Sequence, residues 1–445
     1  MQGFDPASMN EHMKAHQVKA VDFALRRGSA ALFLDTGLGK SLCELEWARQ
    51  VADHTGRPVL ILTPLAVAAQ MVREGRKFGI DARQIREQGE VGDGIMVANY
   101  ERLPKLDASV FGGVVLDESS ILKSFAGRTR NMLMDAFREC PFKLAATATP
   151  SPNDHMELGN HAEFLGVMRQ QEMLSKWFVN DTSTASQDWR LKGHAADDFW
   201  SWVASWSRCA TLPSDLGGDD TGYVLPDVDL HLHRVTVDLT QSTGDAAFRM
   251  PEMSATSFHK EKRLTIRERC ELAAQLVDHD KPATVWCETN DESAMLAKMI
   301  PGSVEVRGDM KPEVKEAALL GFADGDFRVM VTKPTLAGFG LNWQHCAHVV
   351  FASISFSYEQ FYQAQRRSHR FGQTERVVTD VVIAETEGTI WRTIAEKAAK
   401  HDDMKRQMAA AMNRAQRTAR TRIKYDRPLD LAFPTWIKGG SNEAA

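Results

Sequence analysis

Ten short apolar runs rich in Val, Ile and Leu, with segments of helical composition between them, constrain this chain more than any other feature. Strands that read as apolar throughout must be covered on both faces, which is the pattern of parallel strands joined by crossover helices. The first series is "AALFL" (30–34), "PVLILTP" (58–64), "GIMVANY" (94–100), "GGVVLDES" (112–119) and "FKLAATATP" (142–150). A break at "PSDLGGDD" precedes the second: "ATVWCE" (283–288), "SVEVRG" (303–308), "RVMVTK" (328–333), "HVVFAS" (348–353) and "VVTDVVIA" (377–384). The fold class expected is α/β, with two tandem parallel-sheet domains over residues 1–154 and 229–390. A helical, tryptophan-rich insertion fills 155–228, and a basic helical extension covers 391–445. The 445 residues give each half room for its own core.

Composition narrows the function classes. A net charge of −5 with 25% charged residues excludes a basic nucleic-acid coat, so any such partner is held by local patches. The six cysteines lie far apart without a CxxC pair, which argues against zinc and against a disulfide framework. No apolar run approaches the roughly 18–20 residues of a membrane helix, and the opening "MQGFDPASMN" lacks the features of a signal peptide. The expectation is a soluble, cytoplasmic protein.

Five of the ten tryptophans (Trp177, Trp189, Trp200, Trp202, Trp206) fall in the insertion. Exposed, they would stack on bases; the more common role of Trp is to fill a core or an interdomain seam. In the extension, Arg414, Arg417, Arg420 and Lys424 recur at helical spacing, a face able to track phosphates or simply to stay solvated. The "QMAAAM" of the same segment would seat its other side against a core.

Directly behind "AALFL" stands "DTGLGKS" (35–41), which reads as a shortened phosphate loop with Leu34 in the place of the opening glycine, or as an ordinary glycine turn between strand and helix. Thr36, Gly37, Leu38 and Gly39 form the turn whose N–H groups face a phosphate. Lys40 reaches the β/γ-phosphates, and the Ser41 hydroxyl can ligate Mg²⁺. A strand-end pair, Asp117 and Glu118, completes the chemistry: Asp117 holds the metal while Glu118 orients and deprotonates the attacking water. In the second half, "QRRSHRFGQ" places Arg367 and Arg370 three residues apart, which on a helix projects both toward one partner surface as fingers for the γ-phosphoryl.

These residues resemble a known family, the superfamily-two (DEAD/DEAH-like) helicases and translocases, within them the Snf-type branch of double-strand DNA motors. "HQVKAVDFAL" resembles the upstream glutamine motif, "TGLGKS" and "LDES" motifs I and II, "LTPLAVAAQMVRE" motif Ia and "ATATPSPND" motif III. "MELGNHAEFLG" is similar to the segment that follows motif III in that branch, "TKPTLAGFGLN" to motif V, and "QAQRRSHRFGQTERV" to motif VI. The resemblance runs over about residues 10–390. It departs at Leu34, at Ser120 and in a total length without room for large chromatin-remodelling insertions. In size and plan the chain resembles the compact motors of bacteriophages and prophages.

The resemblance implies two RecA-like domains with ATP and Mg²⁺ between them, Gln17 reading the adenine edge, and Gly340 of motif V beside the nucleotide. It implies duplex or branched DNA, gripped without sequence preference at Thr63-Pro64, Asn99-Tyr100, Thr332-Lys333 and Gly338–Asn342, with Thr147 and Thr149 linking the two sites. Trp343 either stacks there or is core, while Gln363 and Gln373 would hold the cleft closed. The function expected is an ATP-driven DNA translocase. A strand-separating helicase is the close alternative, and a nucleotide-dependent DNA-binding switch is the alternative from another class.

Overall fold

The computed structural model describes residues 3–64, 67–123, 127–181, 188–236, 262–337 and 342–421. Each of the ten apolar runs forms a strand, and five further strands appear. In chain order they are β1 (Ser29–Leu34), β2 (Val59–Thr63), β3 (Ala82–Gln84), β4 (Ile95–Asn99), β5 (Gly113–Asp117), β6 (Phe142–Ala146), β7 (Phe178–Asp181), β8 (Asp188–Leu191) and β9 (Ser207–Ala210). The second series is β10 (Val228–Val235), β11 (Ala283–Trp286), β12 (Ser303–Glu305), β13 (Val329–Thr332), β14 (His348–Phe351) and β15 (Val377–Ala384).

Two parallel sheets result, ordered β3-β4-β2-β5-β6-β1-β9 and β10-β15-β14-β11-β13-β12, with β7 and β8 as a separate antiparallel pair. The two halves are tandem α/β bodies as expected. In the second sheet alternate residues serve opposite faces: Trp286, Met330 and Phe351 join one core cluster, and Val285, Val331 and Val350 the other. Both faces are therefore covered, which explains why these strands read as continuous apolar runs.

The tryptophan-rich segment does not stand apart from the first body. β9 pairs in parallel with β1 in the register Leu32 to Arg208, so the first sheet runs on to residue 210 rather than stopping at 154. Trp177, Trp200 and Trp206 are at most 2% exposed and share one core with Trp47, while Trp189 and Trp202 pack against it. The rings meet edge to face or tilted, Trp177 on Trp202 at 4.7 Å and Phe199 on Trp200 at 4.9 Å. Burying rings this large is among the strongest apolar contributions available, and it is why the segment folds inward.

The closing helix, Gly388–Thr421, starts after β15 in the second body and returns to the first. Met404, Met408, Ala411 and Met412 are buried in the first body's core, and Arg414 meets Asp197 at 3.1 Å. "QMAAAM" thus seats the helix on the core. The side chains of Arg417 and Arg420, and all of Lys424 and Gly340, lie outside the described residues.

Candidate nucleotide site and interbody cleft

The candidate residues gather where parallel strands end. Loops after β1, β2, β4, β5 and β6 emerge on the carboxyl edge of the first sheet, the edge where open α/β sheets bind ligands. After Leu34 the chain turns through Gly37 (φ 89°) and Gly39 (φ 78°), then enters the helix Lys40–Thr55. Both glycines are required by the left-handed backbone, and Gly37 also by space: a Cβ there would fall 2.9 Å from the Phe371 backbone nitrogen, while one on Gly39 would displace the Gln17 amide, whose Nε2 would lie 2.1 Å away. Phe371 belongs to the second body, so the loop already faces its partner.

Gln17 is 5% exposed and committed to this loop. Its Nε2 donates to the Leu38 carbonyl at 3.2 Å and lies 3.4 Å from that of Gly39, while its Oε1 accepts from the Lys14 N–H at 2.8 Å. The amide braces the loop instead of facing an open edge. Lys40 Nζ donates to the Leu34 carbonyl at 3.0 Å, a tether at the position where the opening glycine is replaced. The Thr36 N–H is taken by Asp35 at 2.7 Å, and Ser41 stands half-buried in the helix's first turn.

Asp117 ends β5 and is 7% exposed; Glu118 follows at 6%. Glu118 is the one non-glycine among the described residues with a left-handed backbone, φ 53°, a local strain of the kind that functional sites retain. Its Oε2 accepts from Thr147 Oγ1 at 3.1 Å, and the Asp117 carbonyl accepts from Tyr100 OH at 2.7 Å. Burial and then the neighbouring Glu118 charge push the Asp117 carboxyl up to about 7. A third carboxyl, Glu44, lies wholly buried beside it, raised by burial and by Asp117.

This crowding of acids fits a hard divalent cation. Mg²⁺ prefers oxygen ligands and keeps most of its shell as water and phosphate, so Ser41 and Asp117 suffice on the protein side. No trio of His, Cys, Asp or Glu forms a complete protein cage among the described residues, and such a site needs none.

The helix Tyr358–Gln365 stops before the arginines. Arg367 and Arg370 therefore sit in the turn that follows and do not share a helical face: the N–H of Arg367 reaches the Ala364 carbonyl, that of Ser368 the Gln365 carbonyl, and that of Arg370 the Ser368 carbonyl. Arg367 is 2% exposed, with Nε and Nη2 each 3.1 Å from the carbonyl and side-chain oxygens of Gln363. Burial and the neighbouring Arg370 lower the Arg367 guanidinium to about 9, against the attraction of Glu118 and Asp117, which places this arginine in the field of the carboxylates. Burial lowers Arg370 to about 10.

A polar path joins the two bodies through these groups. Glu118 accepts from Thr147, Thr147 Oγ1 accepts from the Thr149 N–H at 3.1 Å, Thr149 Oγ1 accepts from Gln363 Nε2 at 3.4 Å, and Gln363 holds Arg367. Gln373 bonds within its own body, to the Gln344 and Ser368 carbonyls. Lys123 of the first body also pairs with Glu359 of the second.

The residues assigned to DNA are less uniformly placed. Thr63 is fully buried and Asn99 is 7% exposed, and both donate to the Pro64 carbonyl, at 3.1 and 3.2 Å, shaping the loop. Lys333 donates to Asn290 at 2.6 Å, and Asn342 is exposed. Trp343 is fully buried, stacked on Trp286 at 5.7 Å, and so belongs to the core. A cavity of about 500 Å³ opens between the bodies, with Pro64, Asn99 and Arg102 on one wall and Lys315, Thr335 and Leu336 on the other.

Sequence reasoning passed over Glu44, Asp35, Tyr362, Arg366 and Lys405. Asp35 and Glu44 flank the loop and carry a signal, an acid inside an apolar stretch; Lys405 carries none, because its partner is 370 residues away.

Parts of the chain match known proteins. Residues 267–372 match the helicase conserved C-terminal domain. Over 99 residues the chain is 31% identical to a SWI/SNF-related matrix-associated actin-dependent regulator of chromatin subfamily A-like protein 1 homolog from Caenorhabditis elegans, a match spanning 22% of this chain and 14% of that relative. The Sulfolobus solfataricus SWI2/SNF2 ATPase core, solved in complex with dsDNA, aligns over 95% of this chain and 99% of its own, at 16% identity and a TM-score of 0.43.

Proposed function

We propose that this chain, a superfamily-two protein of the Snf type in its ordered motifs and its helicase C-terminal domain, hydrolyses ATP between its two bodies and couples turnover to movement on duplex or branched DNA. The observation that carries the reading is the polar path from Glu118 through Thr147, Thr149 and Gln363 to Arg367. It ties the water-activating carboxylate of one body to the charge-neutralising arginine of the other.

In this reading Gly37 and Gly39 bring backbone N–H groups to the phosphates, and Lys40 leaves the Leu34 carbonyl for the β/γ-phosphates. Mg²⁺, held by Ser41 and Asp117, would neutralise phosphate charge. Glu118 takes the proton of the attacking water, while Arg367 and Arg370 stabilise charge developing on the transferred group. Gln17 keeps the loop in register with the adenine side, and Gly340 would approach from motif V. Loss of the γ-phosphate removes what draws the arginines in, so the bodies separate once per cycle. DNA would lie across the cleft past Thr63-Pro64, Asn99, Lys333 and Asn342, met mainly by main chain and small polar groups, which suits recognition of backbone and not sequence.

Steady-state ATP hydrolysis with and without duplex DNA is the test. A strongly DNA-stimulated rate that Glu118→Gln abolishes while nucleotide binding survives is the expected result. Slow turnover indifferent to DNA would instead identify a nucleotide-dependent switch.

A further inference from the structure

Asp35 is the residue on which three separate segments converge. It follows β1 directly, is 3% exposed, and opens the nucleotide loop by accepting the Thr36 N–H. Arg366 Nη2 reaches its Oδ1 at 3.0 Å from the second body, and Tyr362 donates to the same oxygen. Lys405 Nζ reaches Oδ2 at 2.9 Å from the closing helix and also donates to the Tyr362 hydroxyl at 3.0 Å. Burial alone would raise the Asp35 carboxyl, but the Arg366 and Lys405 charges hold it well below the usual carboxylate range. The group is therefore ionised, with two cations on one anion. The excess positive charge sits behind the loop that receives a triphosphate, the sign such a ligand requires.

We propose that Asp35 is a positioning residue for the arginine turn: it fixes Arg366, and with it Arg367, against the nucleotide loop, and through Lys405 it makes that alignment depend on the closing helix. The inference rests on the ATP-hydrolysing reading above.

Geometry supports the coupling. Arg366 and Arg367 are adjacent in a tight turn and point to different partners, Arg366 to Asp35 and Arg367 to Gln363 on the Glu118 path. Immobilising the first limits the second, and a displacement of about 1 Å in such a group costs on the order of 10²-fold in rate. Lys405 is carried by the turns that bury Met404 and Met408 in the first body, so its position is set by packing and not by the ion pair alone. His401, one turn earlier, packs its ring 5.5 Å from that of Tyr362. A buried pair of this kind also has a plain alternative, a structural contact whose removal simply weakens the fold.

The experiment compares Asp35→Asn, Lys405→Met, the Asp35→Asn/Lys405→Met double variant and the conservative Lys405→Arg in the full chain. Four readouts are taken: kcat, affinity for a fluorescent ATP analogue, melting temperature, and small-angle X-ray scattering without nucleotide. Positioning requires kcat to fall about tenfold or more in Asp35→Asn and several-fold in Lys405→Met, with nucleotide affinity within about threefold. Lys405→Arg should recover most of the rate. The double variant, which removes anion and cation together, should regain melting temperature without regaining kcat. Scattering should report a larger radius of gyration for Asp35→Asn. Wild-type turnover in the variants would overturn the proposal, as would a kcat that tracks melting temperature through all four. Should the wild-type chain hydrolyse no ATP, the ATPase reading fails by itself, and the scattering comparison then decides whether Asp35 holds the bodies together.

Discussion

Glu118 is held against its backbone preference. A left-handed conformation in a residue with a Cβ costs of order 1 kcal/mol or more, and the hydrogen bond from Thr147 holds the carboxylate where the strain puts it. Lys40→Ala should weaken nucleotide binding while Glu118→Gln preserves it and stops turnover; equilibrium binding alongside turnover assays checks the contrast. Arg367→Ala should lower kcat by about 10³ with ATP affinity within several-fold, because a finger acts on transition-state charge. Gln363→Leu should lower it by less, and the double variant should cost far less than the product of the two, because both lie on one path. Additive losses in that cycle would show that Gln363 does not hold Arg367. The carboxylates were legible in sequence as a strand-end pair, and Arg367 and Arg370 as a basic pair, although both were expected on one helical face and stand in the turn after the helix. The pairing of Asp35 with Arg366 and Lys405 was not, since it appears only when distant segments meet in one buried cluster.

Elements differ in how much of themselves they print in sequence. β2, β5 and β13 are buried along their length, so they appear as unbroken apolar runs. β10, "VDLHLHRV", is an edge strand with a largely exposed face, and its polar alternation hid it, although all eight residues pair with β15. β9 is four residues long and was masked by the aromatics before it. Two buried histidines make the helices pH-sensitive. Burial pushes His161 down to about 4, and burial with the nearby Lys405 charge pushes His401 down to about 3. Both are neutral in the fold, whereas the unfolded chain takes up these protons near pH 6.5. Their contribution is thus complete above about pH 6.5 and is lost as pH falls toward the folded values, at about 1.4 kcal/mol per pH unit for each. Urea unfolding at pH 5, 6 and 7 should give a shallower stability slope for His401→Phe than for the wild type, by close to one proton near pH 5 and by less toward pH 7. An unchanged slope would mean that His401 is protonated or exposed in the folded chain.

At the scale of the whole molecule the closing helix decides how the two bodies are held. Read from sequence it was a basic face beside an apolar one, and the apolar face packs against the tryptophan core of the first body. Arg414 spends its charge on Asp197, an exposed pair worth little. Three buried methionines at about 1.5–3 kcal/mol each amount to a large share of the roughly 5–15 kcal/mol that stabilises a domain. Deleting residues 400–445 should therefore lower the melting temperature and the basal ATPase together, because the cut removes Lys405 as well as the methionines. Deleting only 422–445 should leave both unchanged, since the described contacts of the helix with the first body run from Lys397 to Arg414. The shorter cut also isolates any role in DNA binding: each phosphate that is no longer neutralised flattens the dependence of affinity on salt by about 0.9 in logarithmic slope. Calorimetry and DNA titration at two salt concentrations read out both variants. A melting temperature untouched by the longer deletion would mean that the helix does not strap the bodies, and a salt slope changed by the shorter one would give the basic residues beyond 421 to the DNA surface.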